Sequence, residues 1–131
     1  IYGSGGQTRG FLNIRDTLQC VELAVLNPPR LGEYRVFNQF TETFSVLDIA
    51  QKVKEAGETM GLGVSIENIP NPRVEREEHH YNPQNTSLLS LGLKPHLLTT
   101  DVVTRMLKKI ISAHDMVDRS IIRPTIKWRQ S

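Results

Sequence analysis

Apolar residues recur along this chain at spacings that predict its elements. Residues 45–57, "SVLDIAQKVKEAG", place Val46, Ile49, Ala50, Val53 and Ala56 on one helical face. Ser45 opens that helix, Asp48 stands in the reciprocal capping position, and Gly57 marks its end. Thr99 or Thr100 opens a second amphipathic helix through "DVVTRMLKKIISAHD", with Val103, Met106, Leu107, Ile110 and Ile111 facing inward. Residues 17–27, after an Asp16 cap with Gln19 in the returning position, predict a third helix of another kind. It is apolar nearly all round, with a thin polar strip at Gln19 and Glu22, the pattern of a buried helix. Alternation in "GFLNIRD" around Phe11 and Ile14, in "YRVFNQF" and in "GVSIENI" predicts three short strands. "NTSLLSLG" reads as a helical turn ending at Gly92. "NPPRLGE" and "PNPRV" read as breaks, and "IIRPTIKWRQS" has no clear pattern.

The fold class is therefore α/β, with few short strands and three main helices. Three short strands make a meagre sheet for 131 residues. An incomplete domain packed on further structure accounts for both the thin sheet and the all-round apolar helix. The opening "IYG" looks cut from the middle of a strand, so the expectation is a piece of a longer protein. Such a piece, alone, should expose an apolar patch and be prone to aggregate.

Composition narrows the chemistry. A formal charge of +2, with basic and acidic residues interspersed, argues against a nucleic-acid surface. The single cysteine, Cys20, forms no disulfide framework and reads as a small core residue. No apolar run approaches the length of a membrane span. His79 and His80 are adjacent and diverge in a strand, so with Glu77 and Glu78 they suggest a polar turn rather than a metal site. His96 and His114 read as ordinary packing or surface residues. No Tyr is followed four residues on by Lys, and neither G-x-S-x-G nor H-E-x-x-H occurs, so no catalytic residue is assigned in this chain.

Two polar stretches remain. "GSGGQTRG" begins like a dinucleotide fingerprint at Gly3 and Gly5, but the third glycine position holds Thr8. A P-loop is excluded too, since the first lysine is Lys52. The pattern favours a hairpin turn, while Arg9 leaves a phosphate contact open, its planar guanidinium suiting a pair of phosphate oxygens. In "NPRVEREEHHYN", Arg73 follows two prolines that stiffen its backbone. The acids after it suit sugar or ribose hydroxyls, against the plainer reading of an exposed charged loop. Arg9 and Arg73 as a pair would clamp a diphosphate.

The turn "YGSGGQTRGF", the Asp-ended extended segment, "FN", the Ser-capped helix and "LGLKP" occur here in the order seen in nucleotide-sugar epimerases and dehydratases. The chain thus resembles the extended short-chain dehydrogenases of the NAD-dependent epimerase/dehydratase family. "YGSGGQTRGFLNIRDTLQCVELA", "RVFNQFTETFSV" and "PNPRVEREEHHYN" are similar to its sulfoquinovose-forming branch. That resemblance implies a homodimeric enzyme making UDP-sulfoquinovose, a sulfolipid head-group donor, from UDP-glucose and sulfite. Sugar C4 would be oxidised, water lost across C5 and C6, sulfite added at C6, and hydride returned. By the same resemblance residues 1–131 form a C-terminal UDP-sugar-binding portion. The Rossmann-type NAD-binding part and the Thr, Tyr and Lys catalytic residues would lie upstream, leaving this chain alone inactive. Arg9 and Arg73 would hold the diphosphate, Gln7 would lie beside the sugar, and Glu77 or Glu75 would meet the ribose. Tyr2 and Glu75 are further substrate-binding candidates. His80 departs from the pattern, where the family carries Tyr. The implied location is a bacterial cytoplasm or a chloroplast stroma. Another nucleotide-sugar 4-epimerase or 4,6-dehydratase, or a non-catalytic binding module, are the alternatives.

Overall fold

A computed structural model describes residues 1–71 and 83–122. The elements run β1 (Thr8–Phe11), α1 (Ile14–Leu26), β2 (Glu42–Ser45), α2 (Val46–Thr59), α3 (Thr86–Ser90) and α4 (Thr100–Ser112). Short 3-10 turns at His114–Met116 and Arg119–Ile121 follow. Among the described residues the protein is a small α/β structure with three main helices, as the sequence predicts, and its sheet has two strands, β1 beside β2, where three were expected. Two compact units are present. Among the described residues, the first gathers 1–7, 45–71 and 99–122, and the second gathers 8–44 and 83–98.

In the first unit α2 packs on α4. The predicted capping box is in place: Asp48 N–H donates to Ser45 Oγ at 3.0 Å, and Ser45 N–H donates to Asp48 Oδ2 at 2.8 Å. Gly57 does not end α2. The helix runs on to Thr59, because Gly57 serves packing rather than termination. A Cβ built there would lie 2.5 Å from Val64 Cγ2. The left-handed turn falls instead on Gly61, φ 74°. Thr99 caps α4, its Oγ1 accepting from Val102 N–H at 3.4 Å. Of the five α4 residues predicted inward, Val103 is buried and Leu107 half-buried, whereas Met106, Ile110 and Ile111 are exposed. The amphipathic stripe is wider than the surface α2 covers. Residues 63–69 form no strand; Ile69 makes one isolated parallel bridge to Tyr2.

In the second unit β1 begins earlier than predicted, at Thr8, and gives way to α1 at Ile14. Asn13 is the cap, its side chain accepting from Arg15 N–H at 3.1 Å, so Asp16 and Gln19 are inside the helix and form no capping box. Cys20, Leu88 and Leu93 form the buried core, with Leu12, Leu23 and Phe37 packed against it. A fully buried leucine such as Leu88 contributes about 1.5–3 kcal/mol. The predicted strand at 34–40 is not formed. The second strand comes immediately afterwards at Glu42–Ser45, and Phe11 meets Phe44 with ring centroids 5.7 Å apart. The helix expected to be buried is largely bare: Ile14, Leu18, Val21, Val25 and Leu26 are all exposed. The apolar patch predicted for α1 is therefore present.

Candidate functional site

The glycine-rich stretch adopts a turn that only glycine accommodates at two points. Gly3 and Gly5 have φ of 65° and 83°, where a side chain is strained. A Cβ on Gly5 would also meet Ile1 Cγ2 at 3.0 Å and the Leu47 backbone nitrogen at 3.3 Å. The turn is not one end of a two-stranded hairpin. Gly3 N–H donates to Ile69 C=O at 3.0 Å, and Ile69 N–H donates to Ile1 C=O at 2.7 Å, tying the segment to residues 67–69.

The direction of the loop's peptide groups decides what it binds. Gly5 C=O accepts from Leu47 N–H at 3.0 Å, and Gln7 C=O accepts from Val46 N–H at 3.2 Å. A phosphate cradle turns N–H groups toward its ligand. Here carbonyls face α2, and with Ser45 taking the Asp48 amide, the first-turn donors of α2 at 46, 47 and 48 are all used. The amides at 46, 47 and 48 are therefore not free to bind an anion.

Gln7 is the side chain that stands out. It is only 7% exposed, and its Oε1 has no hydrogen-bond partner among the described residues. An unpaired buried carbonyl costs about 1–3 kcal/mol, and native structures rarely keep one without a use. Arg9 lies on β1 and is exposed, with Nη1 donating to Thr8 C=O at 2.9 Å. Tyr2 is half-buried and held through its backbone bridge to Ile69. Arg73, Glu75 and Glu77 lie outside the described residues, as do His79 and His80. Each described candidate thus has a defined place.

A cluster that sequence reasoning missed lies in the second unit. Asp16 is fully buried, and Oδ1 takes His96 Nδ1 at 2.6 Å and Gln19 Nε2 at 2.9 Å. Its Oδ2 accepts from His96 N–H at 2.8 Å. Neighbouring amides are held in the same manner: Lys94 N–H donates to Gln19 Oε1 at 3.3 Å, and Leu98 N–H donates to Glu42 Oε2 at 2.6 Å. Three alternate amides of 94–98 are thus bound by side chains instead of by a neighbouring strand. Asp16 and His96 are 80 residues apart, so no local spacing announces the pair. Burial, then the charge of Asp16, pushes the Cys20 thiol up, which makes it a core residue and not a nucleophile. Among the described residues no three His, Cys, Asp or Glu side chains gather as a metal site.

A small α/β structure with a thin sheet is what a piece of a larger dehydrogenase-like enzyme would show. More particularly, the chain is similar along nearly all its length to UDP-sulfoquinovose synthases, so the resemblance read from its motifs holds. It is 55% identical over 130 residues to the chloroplastic UDP-sulfoquinovose synthase of Spinacia oleracea, covering 99% of this chain and 27% of that protein. It is 47% identical over 132 residues to the UDP-sulfoquinovose synthase of Sulfolobus acidocaldarius, covering 99% of this chain and 34% of that protein. The chain thus spans about a quarter to a third of the length of these relatives. No family model matches it. No helix among the described residues is long and apolar enough to cross a membrane.

Proposed function

We propose that this chain is the UDP-sugar-binding portion of an NAD-dependent UDP-sulfoquinovose synthase that joins UDP-glucose and sulfite. The observation that carries the reading is the buried Oε1 of Gln7, without a partner among the described residues and set in a loop whose sequence resembles the sugar-binding turn of that family. An amide carbonyl held dry and unpaired accepts a hydrogen bond from a sugar hydroxyl without first losing one to protein. Arg9 and Arg73 supply paired N–H donors to the diphosphate, and Glu77, or Glu75 beside it, accepts from the ribose hydroxyls.

NAD supplies hydride transfer when bound, and the described residues do not fit it. Their one glycine-rich loop turns carbonyls, not amides, toward the following helix. In this proposal the cofactor and the catalytic Tyr and Lys belong to sequence outside the matched stretch, the working enzyme is a homodimer, and residues 1–131 bind without turnover. The chloroplastic name of the spinach relative supports a chloroplast stroma for a plant protein of this kind, with bacterial cytoplasm as the other setting.

The test is a titration of UDP-glucose and, separately, NAD into the intact enzyme carrying Arg9→Ala, Arg73→Ala or Gln7→Leu. A hydrogen bond to a charged group is worth about 1.5–3 kcal/mol, so each arginine variant should weaken UDP-glucose roughly tenfold to a hundredfold. KM should rise with kcat nearly unchanged, because a diphosphate contact is made equally in the ground and transition states. Lysine should rescue only part. NAD affinity should stay as in wild type. Unaltered UDP-glucose affinity in all three variants would reduce these residues to scaffold.

A further inference from the structure

The glycine-rich loop is held by its own carbonyls, taken at alternate residues. Gly5 C=O accepts from Leu47 N–H at 3.0 Å, and Gln7 C=O accepts from Val46 N–H at 3.2 Å. The third carbonyl is that of Gly3, and its donor is a side chain, Asn68 Nδ2, at 2.6 Å. Two of the three donors are backbone amides, which every residue except proline supplies. The third depends on one residue type. All of these groups belong to the first unit.

Asn68 acts at the point where regular pairing stops. Residues 1–3 and 67–69 run parallel. The Ile1 nitrogen donates to Glu67 C=O at 2.6 Å, Ile69 N–H to Ile1 C=O at 2.7 Å, and Gly3 N–H to Ile69 C=O at 3.0 Å. A parallel ladder spaces such bonds evenly along both segments. At Gly3, with φ 65°, the backbone leaves that course and the turn begins. Asn68 precedes the last ladder residue on its own segment and holds the first carbonyl of the turn.

Between Gly3 and Gln7 stand Ser4, Gly5 and Gly6, and two adjacent glycines give this stretch more backbone freedom than other residues would. Its entry is pinned by Asn68 and its exit by α2. With the entry released, the glycines admit other courses, and Gln7 Oε1 spends less time in its buried place. Asn68 also stands five residues before Arg73, so one segment pins the first polar stretch and leads in sequence into the second.

We propose that Asn68 is a positioning residue for UDP-sugar binding: by holding Gly3 C=O it sets the course of residues 3–7 and so the place of Gln7 Oε1. Asn68 acts through the loop and not on the ligand, and it takes this part only if the loop binds the sugar nucleotide, as proposed above. Its contribution is preorganisation, which favours ground and transition states alike.

The test uses the intact enzyme carrying Asn68→Leu, which keeps the shape and loses the donor, Asn68→Ala, Gln7→Leu, or Asn68→Ala with Gln7→Leu. KM and kcat for UDP-glucose are measured together with NAD affinity. Both Asn68 variants should raise the UDP-glucose KM about threefold to tenfold, the equivalent of one neutral hydrogen bond, with kcat and NAD affinity as in wild type. In the Gln7→Leu background, Asn68→Ala should add less than about twofold, because the group it positions is already gone. A bond that serves folding alone would change the fraction of active enzyme, which scales kcat and leaves KM as it was. That outcome would overturn the proposal, and so would the full effect of Asn68→Ala persisting beside Gln7→Leu. Should Gln7→Leu by itself leave UDP-glucose binding unaltered, the sugar-binding reading of the loop falls first and takes this use of Asn68 with it. The Gln7 single variant thus tells the two failures apart.

Discussion

α1 and α2 are nearly the same length, 13 and 14 residues, yet they are stabilised in different ways. α2 has its start fixed by its immediate sequence neighbours, and more distant segments then hold it. Ser45 and Asp48 cap it, glycine-loop carbonyls take its first amides, and α4 covers its apolar face. α1 has a local cap too, at Asn13, but its buried polar and core contacts lie far away. Its buried Asp16 and its Gln19 reach residues 94 and 96, and its Cys20 packs on Leu88 and Leu93. A locally capped helix shows its ends in the sequence. A helix anchored from a distance shows only an apolar pattern, which says that it is covered without saying by what.

The largest test of this contrast is Asp16→Ala. It removes an acceptor from His96 Nδ1, the His96 amide and Gln19 at once, and hydrogen bonds to a charged group are worth about 1.5–3 kcal/mol each. A loss of about 3 kcal/mol in urea unfolding is expected, against less than about 0.5 kcal/mol for Val21→Ala on the exposed side of the same helix. Equal effects of the two substitutions would remove the distant anchor from the account of α1.

The next test concerns packing on α2. Gly57→Ala gains up to about 1 kcal/mol in helix propensity but drives a methyl into Val64, and overpacking costs about 1–3 kcal/mol. A net loss of about 1 kcal/mol is expected. In a Val64→Ala background the same substitution should become stabilising. If its sign stays the same in both backgrounds, Val64 is not the reason for the glycine.

The smallest effect sits at the cap. Ser45→Ala should cost about 1 kcal/mol. The Ser45 hydroxyl, and after it the Ser45 amide, hold the Asp48 carboxyl below its usual value. A lowered folded value means the contribution is complete above the ordinary aspartate range, about pH 4, and fades as pH falls through the folded value. The gap between wild type and Ser45→Ala should therefore be widest near neutral pH and narrow below about pH 4. A gap constant down to pH 2 would detach Asp48 from the cap.

Legibility followed the range of the interactions. The α2 cap, the α4 cap at Thr99, the α3 turn with its Gly92 and the buried Cys20 depend on neighbours within a few residues, and the sequence discloses them. Gly57 misled because a glycine needed for close approach to Val64 looks the same as one needed for a left-handed end. Asn13 and Asp16 are both good capping residues, and only burial against His96 separates their tasks. Residues 34–40 carry strand residues but no strand, since pairing needs a second chain segment and alternation alone provides none. Of the site, motif resemblance points to Gln7, and its side-chain oxygen, without a partner among the described residues, is an independent structural fact that composition could not supply.

The anchoring of α1 also has a consequence in time. The second unit is split along the chain, and His96 leaves the ribosome 80 residues after Asp16. At synthesis rates of about 5–20 residues per second, that interval is roughly 4–16 s. Throughout it Asp16 lacks its histidine, Cys20 lacks Leu88 and Leu93, and both apolar sides of α1 are open to water or to other chains. α2, by contrast, has its cap and its glycine-loop carbonyls as soon as it emerges. Both units nevertheless close late, the second with residues 88–98 and the first only when α4 at Thr100–Ser112 arrives to cover α2, so apolar helix faces stay open until the last quarter of the chain is made.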